Sequence, residues 1–229
     1  MSQIDSSSRF HKLLAIASFV AAVLLAKVFL SILYQYRWYF PADFSSEFLS
    51  GRRDSFHGLY RVAFYAHIIS SPLVLMVGLF LIITGRRLRR DSIHRWAGRV
   101  QAMIVLTVVV PSGLVMACQA FGGAIAGAGF AALAVGTAVC VIMAVRNARY
   151  SRFRSHQMWA TRCFILLCSA LLLRLLSGVV MVMQFEPISC YRINAWISWL
   201  MPLIIYEVWW RYSANSDFAW SSASTNEVM

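Results

Sequence analysis

Residues 59–91 read LYRVAFYAHIISSPLVLMVGLFLIITGRRLRRD. Apolar side chains dominate from Leu59 to Thr84, and Gly85-Arg86-Arg87-Leu88-Arg89-Arg90-Asp91 then ends the run abruptly. A helix needs ~20 apolar residues to cross a hydrocarbon core about 30 Å thick. Lipid offers no partner to backbone N–H and C=O groups, so a run of this kind is read as a helix. It lacks the alternation of a barrel strand. The arginine cluster marks the end that stops in water.

Five further runs follow from the same reading. They cover roughly Leu13–Tyr34, Ile93–Ala120, a segment from the glycine-rich stretch 122–129 to Val145, Trp159–Phe185 and Ile193–Trp210. Arg9 and Lys12 precede the first run, as in a signal peptide. That run is long for such a peptide and lacks a small-x-small cleavage site, so it is read as retained. Pro111 predicts a kink in the third run. Gly123 and Gly127 form a small-xxx-small pair in the turn into the fourth. The predicted fold is therefore all-α: one multi-pass bundle of about six transmembrane helices over residues 1–229. The Ser-, Asn- and Thr-rich residues 212–229 read as an unstructured tail.

Composition agrees. The chain is 60% hydrophobic and 13% charged, against about 25% charge in a soluble domain. The net charge of +12 would suggest nucleic acid in a soluble protein. Here the basic residues sit in short loops, with no basic helix or aromatic-basic module, so no nucleic-acid partner is expected. With the N-terminus inside, fourteen Lys and Arg residues fall near inner helix ends and five near outer ones. That asymmetry predicts that both termini are cytoplasmic.

Five cysteines are present. Cys140, Cys163 and Cys168 lie in apolar runs and read as core residues. Cys118 and Cys190 fall near one side, where a disulfide is one option. No CxxC pair supports a thioredoxin-like or zinc site. Walker, HExxH, GxSxG and Rossmann signatures are absent. Few acidic residues lie in the runs, and no paired interrupted helices are apparent, which argues against a carboxylate-driven transporter.

Ionisable groups inside a membrane are costly and are candidate functional groups by default. His67 shares a helix face with Ser70, Ser71 and Gly78. Arg174 falls at a similar depth in the fifth run, and Lys27 lies in the outer half of the first. No carboxylate is expected there, since Glu186 is twelve residues on, ~18 Å along a helix. His67 and Arg174 thus mark a site for an acceptor or anion, such as a quinone oxygen, a haem propionate or an anionic lipid headgroup. The plainer readings are a histidine bonded to a neighbouring helix and an arginine reaching the surface.

His94 and His156 occupy matching places. Each follows a basic loop and opens a helix. His94, Gly98 and Gln101 share a face, and His156 and Arg174 fall on one stripe of the fifth helix. Two imidazoles at one depth on facing helices can ligate a b-type haem. A metal ion and simple headgroup contact are the alternatives.

Four pieces of the chain resemble a bacterial family of predicted multi-pass membrane proteins known as a domain of unknown function. They are His67 with Gly78; His94-Arg95-x-x-Gly98-Arg99; Gly129-Phe130 after the glycine-rich turn; and His156-x-x-Trp159-x-x-Arg162 continuing to Arg174. The resemblance covers about residues 65–175. Gln157 and Ala160 depart from the family's usual arginine and methionine. The family looks broadly similar to small membrane-bound b-type or quinone-linked cytochromes, which implies electron transfer. A binding protein or transporter for a small anion or lipid, and a structural subunit without catalysis, are the other expectations.

Overall fold

The computed structural model describes residues 2–226 except 47, 86 and 88–90, with side chains described for 13 and 15–212 apart from those positions. Arg86, Arg89 and Arg90, counted above as inner charges, lie outside the described residues, as do the side chains of Arg9 and Lys12. Helix is the only extended secondary structure among the described residues. Six helices are long and apolar enough to cross a bilayer: α1 Ala15–Trp38, α2 Gly58–Thr84, α3 Ser92–Ala117, α4 Gly123–Arg149, α5 Phe153–Val182 and α6 Pro187–Tyr212.

The chain divides into two compact units, Met1–Phe56 and His57–Met229. The first holds α1 and a turn-rich segment. There Asp43 accepts hydrogen bonds from the backbone N–H and hydroxyl of Ser45. These bonds hold its carboxyl below the usual range. Phe44 and Phe56 pack edge to face with ring centroids 5.5 Å apart.

The second unit holds α2–α6. Helix α4 packs against α3, α6 and the first half of α5. Val74, Val105, Val109, Val141, Leu166 and Trp199 contribute to its core. The glycine-rich stretch makes these approaches close. Gly123 takes φ +70° at the start of α4, a conformation glycine adopts without steric cost. A Cβ on Gly129 would lie 3.1 Å from the Ala195 carbonyl of α6. The start of α6 is capped by Glu186, whose carboxylate accepts from the backbone N–H groups of Ile188 and Ser189.

Two spans are less regular than their sequences suggest. Helix α3 contains a π turn over Val105–Val109, just before the predicted kink at Pro111. A proline ring clashes with the carbonyl four residues back, here Thr107, and a wider turn relieves that contact. Helix α5 is interrupted at Cys168, between Phe153–Leu167 and Ser169–Val182. The straight register that put His156 and Arg174 on one stripe therefore does not run unbroken.

Other boundaries also move. Helix α5 starts at Phe153, not Trp159. Beyond α6 the backbone stays helical to Asn226, where the sequence suggested an unstructured tail; residues 227–229 lie outside the described residues. Cys118 and Cys190 are free thiols, so the disulfide considered between them is not formed.

Candidate functional site

Asp91 starts the site from the sequence side. Its carboxylate accepts from the Ile93 N–H at 3.0 Å and caps α3, which satisfies a donor that the first helical turn leaves free. That bond pulls the Asp91 carboxyl below its ordinary 3.8. A lowered carboxyl stabilises fully above the unfolded value and loses that contribution as pH falls through its folded value. Asp91→Asn should therefore lower the melting temperature in detergent slightly at neutral pH. The difference from wild type should close below about pH 4. A difference that persists at acid pH would remove the charged cap from the account.

The cap fixes His94 in the first turn of α3. Its ring lies against the end of α2, with Cε1 3.7 Å from where a Cβ on Gly85 would stand. Its Nδ1 is buried and has no hydrogen-bond partner among the described residues. His156 comes from the first turn of α5. Its Nδ1 is 2.9 Å from the Ala144 carbonyl of α4. A carbonyl only accepts, so Nδ1 carries the proton and Nε2 keeps its lone pair. The two imidazoles lie close enough for their charges to interact. Gly98, one turn beyond His94, has no atom within 4 Å of its missing Cβ. Gln157, a departure from the family pattern, is exposed.

His67 sits elsewhere, at the α2–α3 contact. Its Nδ1 is 3.1 Å from the Ser112 hydroxyl. That hydroxyl already donates to the Val108 carbonyl at 2.6 Å, so it accepts from His67. Gly113 leaves the room: a Cβ there would be 3.4 Å from His67 Cε1. Arg174 lies half-buried in the second half of α5. Lys27 is exposed on α1, in the first unit.

Sequence reasoning missed a further pair. Arg162 was counted among the charges near inner helix ends, but α5 begins early enough to carry it into the bundle. There it binds Glu207 of α6 through two bonds, Nε to Oε1 and Nη2 to Oε2, the second at 2.9 Å. Its guanidinium also lies 4.5 Å from the Trp159 ring centroid. The signal was present in the depths of Arg162 and Glu207, each a short way in from the same end of its helix. Among the described residues, no three His, Cys, Asp or Glu side chains gather as a metal-binding group.

Residues 64–210 match the family described as "Predicted membrane protein (DUF2306)". The chain belongs to the DUF2306 family. The match takes in every piece of the DUF2306 resemblance noted in the sequence and extends through α6. It includes Glu207, so both partners of the half-buried ion pair fall within the DUF2306 region. No curated protein and no solved structure matches this DUF2306 chain. Its family description assigns a membrane location and no activity.

Proposed function

We propose that this DUF2306 protein transfers electrons in the bacterial inner membrane, with His94 and His156 as the residues that would hold a b-type haem. The arginine-rich helix ends and both termini are assigned to the cytoplasmic side by their positive charge. The observation that carries this reading is that two incompletely used imidazoles, from the first turns of different helices, lie within electrostatic reach of each other. His156 has the ligand arrangement common at metal centres, with one ring nitrogen anchored on a carbonyl and the other carrying a lone pair. His94 spends no hydrogen bond through Nδ1.

The donor set suits the group. A porphyrin brings four nitrogens of its own, so two imidazoles complete the iron without a third protein ligand. The open backbone at Gly98 offers a face that a flat ring can approach. Arg95, Arg99, Arg152 and Arg154 are exposed on the flanking helix starts and suit propionate carboxylates. Haem supplies one-electron chemistry. The chain orients the ligands and limits water around them.

In this reading His67 and Arg174 receive the electron acceptor, a quinone. One observation favours a plainer role for His67: its bond to Ser112 joins α2 to α3. His67→Ala would then cost stability and leave any chromophore intact.

The test is an absorption spectrum of the full-length protein, expressed with ample haem and purified in detergent. Wild type should show a Soret band. The His94→Ala, His156→Ala double variant should lose it while remaining monodisperse. A colourless wild-type preparation overturns the haem reading.

A further inference from the structure

The first unit sets a charge at mid-membrane. Helix α1 crosses as Ala15–Trp38, so Lys27 stands twelve residues from one end and eleven from the other, ~18 Å and ~17 Å along the axis. The run read from the sequence put it farther out. Half of a hydrocarbon core is about 15 Å. A lysine side chain extends only ~6 Å, so snorkelling leaves its ammonium inside the apolar layer.

Lys27 is exposed, and 0% of the apolar window of α1 is buried, against 17–28% in the other spans. A charged group at this depth is costly and is met by an opposite charge inside protein. This sequence has no carboxylate to give at that level. Of its nine acidic residues, only Glu207 falls inside a span, five residues from the end of α6, and Arg162 binds both of its oxygens. A second copy of the chain brings the same set, so it does not supply the missing anion.

We propose that α1 docks a transmembrane helix of a different protein, one that carries an aspartate or glutamate at mid-membrane, and that Lys27 pairs with that carboxylate. Apolar side chains give two helices in lipid little reason to associate, since lipid tails are equally apolar. An ammonium donating to a carboxylate does, because the low dielectric strengthens their attraction. Val23 and Leu30 lie one turn to either side of Lys27, are 51% and 63% exposed, and share its face at helical spacing. They form the apolar flanks of the contact. The inference goes beyond the haem reading and holds whether or not haem is bound.

The experiment places a benzophenone amino acid at Val23 or Leu30 of the full-length protein in its own host membrane. Irradiation should join it to one other protein, and mass spectrometry should locate the adduct in a span with a central Asp or Glu. Lys27→Leu should cut the adduct yield at least tenfold. That substitution makes α1 more apolar, so failure to insert does not account for the loss. Lys27→Asp, combined with lysine in place of the partner's carboxylate, should restore at least half of the yield. The proposal falls if the crosslinks reach only lipid or a second copy of this chain. It also falls if the joined span has no carboxylate, or if the adduct survives Lys27→Leu.

Discussion

Glu207→Gln should destabilise the bundle by about 3 kcal/mol, the low end of the cost of orphaning a buried charge. Arg162 and Glu207 are 14% and 28% exposed, so water offsets part of the loss. The carboxylate loss leaves a guanidinium that still stacks on Trp159 but has lost its forked acceptor. Replacing both partners with apolar side chains of similar length removes the charge along with its need. Arg162→Met with Glu207→Leu should therefore recover most of the stability lost in either single variant. Unfolding in mixed micelles of wild type, Arg162→Met, Glu207→Leu and the double variant gives the coupling directly. Additive single effects would mean that the pair contributes no mutual stabilisation.

The second large effect is steric. Gly127→Ala should cost about 1–3 kcal/mol, typical of overpacking. A Cβ there would stand 2.6 Å from the Ala117 carbonyl of α3. The obstruction is backbone, so no rotamer change relieves it, and α3 must move away from α4. Gly98→Ala is the matched control. Nothing lies within 4 Å of its Cβ position, and alanine favours helix over glycine by about 1 kcal/mol. It should be neutral or stabilising. Equal thermal shifts for the two variants would contradict the packing described at Gly127.

The contrast shows what a sequence reveals in a membrane. All six spans were legible, because bilayer thickness demands long apolar runs and few other folds produce them. The placing of His94 and His156 in the first turns of their helices was also legible, since each follows a basic loop. Gly127 was noticed as a small residue, but not its partner Ala117, because helix contacts depend on rotation and depth. The π turn was hidden. Pro111 signals a disturbance, yet Val105–Val109 are ordinary apolar residues that fit an α-helix equally well. The Arg162–Glu207 bond was hidden for a different reason. An apolar run drawn only from Trp159, when the helix itself begins at Phe153, moves Arg162 from the interior to the rim. That Ser71 Oγ and Gln101 Oε1 are buried with no partner among the described residues was invisible, because burial and pairing are properties of three dimensions.

The ion pair also bears on how the polypeptide enters the bilayer during synthesis. Helix α6 has a mean hydropathy of 1.2, while the other five spans lie between 2.1 and 2.5. A marginal segment bearing a carboxylate partitions poorly by itself, and the segment before it carries the matching guanidinium. The two are best released into lipid together, as a hairpin already neutralised. A nascent chain that stops before residue 187 would leave Arg162 stranded, and quality-control proteases should clear that product faster than the full-length one.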